Sequence, residues 1–150
     1  KPLGKFESSK IPLFGLIYRQ AVVMVDRSDP EKRAQSLRNL KAALEKHISI
    51  FIFPEGTFSM TDQYPLKPFY NGAFKLAIEM KIPIQPVLLV DSVDRMHYSS
   101  VWTLTPGKHR VVYLDKVEVD TYTLETMDDL KELVFQKMEE GLRRYRKYPL

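Results

Sequence analysis

The stretch Ala21–Phe53, AVVMVDRSDPEKRAQSLRNLKAALEKHISIFIF, decides how this chain folds. It opens on a short apolar, β-branched run, Ala21-Val22-Val23-Met24-Val25, of the kind that forms a buried strand. Ser28-Asp29-Pro30-Glu31 then has the chemistry of a helix start: a capping side chain, a proline in the first turn and a glutamate three residues after the serine. Apolar residues follow at Ala34, Leu37, Leu40 and Leu44, close to helical period and set among charged neighbours. Ile48 to Phe53 is again strand-like. Together the three pieces predict a strand–helix–strand unit, which requires parallel pairing and so an α/β fold.

The alternation continues downstream. Asn71 to Met80 predicts a short helix with Ala73, Phe74, Ala77 and Ile78 inward. Ile84 to Val90 reads as a strand, placed near a sheet edge or at a strand start by Pro83 and Pro86. Val101 to Leu104 and Arg110 to Leu114 read as strands on either side of a Thr105-Pro106-Gly107 turn. Thr126 to Tyr145 predicts a helix with Leu130, Leu133, Val134, Met138 and Leu142 on one face. The expected architecture is α/β, with a mostly parallel central sheet flanked by helices, in a single domain covering residues 1–150. No internal repeat, flexible linker or second domain is visible.

Composition fits that reading. The chain has 150 residues, 44% of them hydrophobic, enough for one sizeable core. With 28% charged residues it has no disorder bias, and with no cysteine it has neither a disulfide framework nor thiol chemistry. The net charge of +4 favours anionic partners mildly. No apolar run approaches the roughly 18 residues of a membrane span. Neither G-x-G-x-x-G nor G-x-x-x-x-G-K-[ST] occurs, which argues against a nucleotide-binding domain. Basic residues alternate with acidic ones except at the C-terminus, which argues against nucleic acid as a partner.

The segment with most chemical content is Pro54-Glu55-Gly56-Thr57, directly after the strand ending at Phe53. Ligands in open α/β sheets bind beyond the carboxyl ends of strands. Proline stops the ladder, glycine lets a backbone approach a ligand, and Glu55 puts a charge at the rim. On the residues alone, this is either a ligand-binding loop or a plain turn.

Phe53-Pro54-Glu55-Gly56-Thr57-Phe58-Ser59 resembles the F-P-E-G-T-R-S signature of the lysophosphatidate and glycerol-3-phosphate acyltransferases. Three further blocks are similar to that family, in the right order. Ile11-Pro12-Leu13-Phe14-Gly15 with Arg19 resembles the segment before its second motif, and Val22-Val23-Met24-Val25-Asp26-Arg27 that motif itself. Ile82-Pro83-Ile84-Gln85-Pro86-Val87 is similar to its fourth motif, V-P-I-x-P-V. Leu66-Lys67-Pro68-Phe69 with Gly72-Ala73-Phe74-Lys75 also matches the stretch between the third and fourth. The resemblance covers roughly residues 11 to 90.

That resemblance implies an enzyme moving a fatty acyl group from acyl-CoA or acyl carrier protein onto a lyso-glycerolipid hydroxyl. It implies no metal and no organic cofactor. The family's reaction uses a histidine as general base and an aspartate to orient it, within N-H-x-x-x-x-D. Here the histidines are His47, His97 and His109, and five residues later stand Ile52, Trp102 and Leu114. The expectation is therefore that the catalytic pair lies upstream of Lys1, in a domain of which this chain is the C-terminal portion, and that the isolated chain is inactive.

By the same resemblance Arg27, Glu55, Gly56 and Thr57 face the acceptor's phosphate and glycerol. Read from the residues alone, Arg27 is better taken as a helix-flanking surface arginine paired with Asp26 or Asp29. Phe58 departs from the family's arginine, a loss of roughly 1.5–3 kcal/mol if nothing replaces a charge-assisted phosphate contact. Either Lys67 or Lys75 fills that space, or the acceptor is less anionic than lysophosphatidate. A non-catalytic lipid- or phosphate-binding module using the same surface is the remaining alternative. The implied setting is the cytoplasmic face of a membrane. Arg143, Arg144, Arg146 and Lys147, with Tyr145 and Tyr148, either complement the last helix's dipole or adhere to anionic lipid.

Overall fold

A computed structural model of the chain describes residues 1–25, 28–57, 66–97 and 99–146. The chain divides into two compact units, Lys1–Phe53 and Pro54–Leu150. Each has its own pairing pattern.

In the first unit, strand β1, Leu3–Lys5, lies parallel to β2, Val23–Val25, with Leu3 opposite Val23 and Lys5 opposite Val25. On its other side the N-terminal segment meets Phe51, also in parallel. The Phe51 N–H donates to the Lys1 carbonyl, and the Leu3 N–H donates to the Phe51 carbonyl, both at 2.9 Å. The predicted strand–helix–strand unit thus has its two strand segments on either side of a third parallel segment. Helix α1, Phe14–Ala21, precedes β2. The Val22 N–H still bonds the Tyr18 carbonyl at 3.1 Å, so the helix end takes Ala21 and Val22 and the strand starts only at Val23. The expected strand Ile48 to Phe53 is narrower too, pairing as a single bridge at Phe51.

Helix α2, Pro30–Glu45, begins where the sequence places it. Its cap is Asp29, whose carboxylate accepts from the Lys32 N–H at 2.9 Å, with Pro30 in the first turn. Leu40 turns inward and is buried.

The second unit carries helix α3, Gly72–Met80, strand β3, Val87–Leu89, the one-turn helix α4, Ser92–Arg95, strand β4, Val111–Tyr113, and helix α5, Met127–Tyr145. Here the pairing is antiparallel, with Leu88 opposite Val112, and Ile84 bridges Val117 in the same sense. The α/β class holds, but in place of one mostly parallel central sheet the described residues form two two-stranded sheets, parallel in the first unit and antiparallel in the second. The buried faces of α3 and α5 meet with β3 in one core: Phe69, Phe74, Ala77, Leu88, Val90, Val117, Val119, Leu130, Val134, Met138 and Leu142. The predicted apolar stripe of α5 is the stripe that is buried, and Leu76 joins the inward residues of α3.

Val101–Leu104 is not a strand. Val101–Thr103 forms a 3₁₀ turn. The Ser100 hydroxyl accepts from the Trp102 N–H at 3.1 Å, and the Thr103 hydroxyl donates to the Ser100 carbonyl at 2.6 Å. These local side-chain bonds compete with ladder formation, and Trp102 is left 92% exposed.

An ion pair between buried Asp91 and partly exposed Arg110 ties together the two ends of the β3–β4 connection. Asp91 receives the Arg110 backbone N–H at 2.8 Å and its guanidinium Nε at 2.8 Å, while Arg110 Nη1 reaches the Tyr145 carbonyl at 3.1 Å. The hydrogen bonds from the Arg110 side chain hold the Asp91 carboxyl well below the usual carboxylate range. They also join the connection to the end of α5.

Candidate functional site

The Pro54–Thr57 loop opens the second unit. Gly56 has φ of 66°, in the left-handed region where only glycine is unstrained. A second constraint acts on the same residue. A Cβ at Gly56 would stand 2.8 Å from Cε2 of Tyr70, whose ring covers that face. The Tyr70 N–H donates to the Pro54 carbonyl at 2.9 Å, so the loop is held by both the backbone and the ring of Tyr70.

Glu55 is half-buried in this loop, and Gly56 and Thr57 are exposed. Burial pushes the Glu55 carboxyl above its ordinary value, with a smaller opposing contribution from a backbone hydrogen bond. A carboxylate that is partly desolvated yet reachable accepts hydrogen bonds from hydroxyl groups readily. The exposed Gly56–Thr57 backbone leaves room for a ligand at the loop's rim.

The other site residues fall as follows. Arg27 and Phe58 lie outside the described residues. Lys67 is half-buried, and Lys75 is exposed on α3 with its ammonium 3.7 Å from Glu79 one turn on. Among the described residues no hydrogen bond or ion pair joins either lysine to Glu55, Gly56 or Thr57. Tyr70, which does touch the loop, carries no pattern that marks it in the sequence. Its neighbour Phe69 is core, and an isolated aromatic beside a core residue reads as more core.

His47 follows the end of α2 with φ of 57°, His97 Nδ1 lies 2.8 Å from the Ser99 hydroxyl, and His109 Nε2 lies 3.0 Å from the Ser92 hydroxyl. At the end of α5, Arg143 lies 3.4 Å from Glu139, and Arg144 stands over the Tyr145 ring at 5.5 Å. Lys147 and Tyr148 lie outside the described residues.

A family model described as Acyltransferase matches residues 2–90, more than half of the chain. The chain belongs to the acyltransferase family. Among its relatives is a 1-acyl-sn-glycerol-3-phosphate acyltransferase of Limnanthes douglasii, 30% identical over 134 residues, covering 88% of this chain and 47% of the relative. Another, from Haemophilus influenzae, is 30% identical over 142 residues, covering 93% of this chain and 57% of the relative. The chain thus spans about half the length of these relatives. The crystal structure of the 1-acyl-sn-glycerophosphate (LPA) acyltransferase PlsC from Thermotoga maritima superposes with a TM-score of 0.77 at 23% identity. It covers 99% of this chain and 58% of that one, and it shows the fold to be the PlsC-like α/β fold. The family match takes in the Pro54–Thr57 loop and the whole of β3.

Proposed function

We propose that the protein is a 1-acyl-sn-glycerol-3-phosphate acyltransferase, transferring a fatty acyl group from acyl-CoA or acyl carrier protein to a lyso-glycerolipid hydroxyl. The observation that carries this is the Pro54–Thr57 loop. It is a tightly formed turn with a half-buried carboxylate and an exposed Gly–Thr backbone, within the segment matched by the family. The relatives named above point to the same acceptor.

In this reading Glu55 accepts a hydrogen bond from the acceptor's glycerol, and the Gly56 and Thr57 backbone faces the phosphate. Arg27 supplies the bidentate cation that a phosphate dianion favours. The attacking hydroxyl is deprotonated by the histidine of the family's N-H-x-x-x-x-D motif, which residues 1–150 do not contain. The thioester carries its own activation, so the transfer calls for no metal or organic cofactor. Lys67, or Lys75 on the surface of α3, supplies the cation in place of the arginine replaced by Phe58, or the acceptor is less anionic than lysophosphatidate.

The test is an acceptor panel run on the full-length protein, wild type against Phe58→Arg, with thioester consumption as the readout. Acylation of lysophosphatidate is expected. If no lyso-glycerolipid is acylated, the proposal fails and a lipid-binding module replaces it. If lysophosphatidate is already the best acceptor and the arginine adds nothing, an altered acceptor is ruled out. The isolated 150-residue chain is expected to be inactive.

We further propose that the enzyme works at the cytoplasmic face of a membrane. Among the described residues no helix is long and apolar enough to cross one. Helix α1 and the residue before it expose Leu13, Leu16 and Ile17, and Lys1, Lys5, Lys10 and Arg19 face only Glu7 in the sequence up to Val25. Apolar exposure with basic flanks suits an anionic leaflet. Sedimentation with vesicles should recover more protein when anionic lipid is present; equal recovery would reject the electrostatic part.

A further inference from the structure

Tyr70 has an unusual position for an aromatic residue: it is 65% exposed, yet its backbone is held on both sides. On one side Phe69 is buried, stacked on Phe74 with centroids 6.0 Å apart and edge-on to Phe135 at 5.1 Å. On the other, Asn71 leads into α3. Its carbonyl accepts from the Lys75 N–H at 2.9 Å and its side-chain oxygen from Lys131 Nζ at 2.9 Å. The position of Tyr70 is therefore set by the core, although little of its own ring is buried.

What the ring covers is Gly56. The edge carbons Cε2 and Cδ2 would lie 2.8 and 3.0 Å from a Cβ placed there, and the Tyr70 N–H bonds the Pro54 carbonyl. Among the described residues this is the hydrogen bond that ties the Pro54–Thr57 backbone to the rest of its unit. A left-handed glycine is the most conformationally permissive point in a loop, so a flat, rigid group against it removes the freedom that glycine introduces.

We propose that Tyr70 is a positioning residue for the acceptor. Its ring, seated on Gly56, keeps Glu55 and the Gly56–Thr57 backbone in the geometry that receives the headgroup. The role belongs to the ring and the backbone N–H, and the hydroxyl is dispensable. This rests on the reading that the loop binds the acceptor, and the experiment separates the two.

The full-length protein is assayed with acyl-CoA and lysophosphatidate as wild type, Tyr70→Ala, Tyr70→Phe and Glu55→Gln. Protection from hydrogen exchange of the residue 70 amide, which bonds the Pro54 carbonyl, is followed in the same variants. Tyr70→Ala is expected to raise the acceptor KM about tenfold, the scale on which a misplaced binding group acts, with kcat and the thioester KM near wild type. Its residue 70 amide should lose protection and exchange faster, and Tyr70→Phe should match wild type in both readouts. Unchanged exchange in Tyr70→Ala would overturn the proposal, as would a Tyr70→Phe enzyme as weak as Tyr70→Ala. If exchange quickens while neither Tyr70→Ala nor Glu55→Gln alters the acceptor KM, the loop is not the acceptor site, and acceptor positioning by Tyr70 falls with that reading. If Glu55→Gln raises the acceptor KM and Tyr70→Ala does not, the site stands and the positioning role is wrong.

Discussion

Lys1–Phe53 and Pro54–Leu150 treat their apolar residues differently. In the second unit Phe74, Leu88 and Leu130 are essentially inaccessible and lie in one cluster drawn from both long helices and β3. In the first, Leu40 is buried, while Leu13 is 84% exposed and Ile17 74%. Order in the first unit comes from backbone pairing, with the N-terminal segment bonded on both edges, and from a well-capped α2. Order in the second comes from packing. The Pro54–Thr57 loop is attached through Phe69 and Tyr70 to the packed unit, which is where a site that needs fixed geometry gains most.

The largest effect should come from the core that distinguishes the two. Leu130 is 0% exposed, and Leu130→Ala should cost about 2–5 kcal/mol of stability in urea denaturation. A much smaller cost would mean that the second unit is no better packed than the first.

Loss of the Asp91–Arg110 pair should follow, as a fall in Tm of several degrees for Arg110→Gln, because Asp91 would stay buried without its main partner. This pair also gives a pH dependence. The folded Asp91 carboxyl is depressed below its unfolded value, so its contribution is fully present above about pH 4 and is lost as pH falls below that. Acid titration of Tm should therefore show a steeper decline in wild type than in Arg110→Gln.

A third, local effect belongs to the loop. Gly56→Ala combines left-handed strain with the Tyr70 ring and should cost about 1–3 kcal/mol. Leu16→Ala, on exposed α1, should be the smallest, within about 0.5 kcal/mol in stability, while lowering recovery with anionic vesicles. A large loss of stability there would show that the α1 surface is packed rather than free.

The sequence made the second unit legible because its helices have clean apolar periods and its strands lie between prolines and turns. Asp29-Pro30 marked α2 equally well. Strand β1 and helix α1 of the first unit are not legible in the same way. Strand β1 is three residues, Leu-Gly-Lys, too short to show alternation, and what defines it is pairing with Val23–Val25 and Phe51 far along the chain. Helix α1 spans 8 residues, too few turns for an apolar period to tell it from a loop or strand. Val101–Leu104 was misread because apolar content implied a strand, whereas Ser100 and Thr103 bond the backbone locally. At the site, the loop itself was visible as Pro-Glu-Gly-Thr. Tyr70 was not, since its role depends on contact with Gly56 across intervening sequence.

If the half-buried carboxylate of this loop contacts the acceptor, Glu55→Gln removes that contact and little else. Burial raises the Glu55 carboxyl, so the favourable side of that shift lies at low pH and is lost as pH rises through the folded value. Removing the charge should leave Tm at neutral pH unchanged or slightly higher. Steady-state kinetics of the full-length protein with lysophosphatidate should then show an acceptor KM at least about tenfold higher, with the thioester KM unchanged. A wild-type acceptor KM in Glu55→Gln would contradict the account.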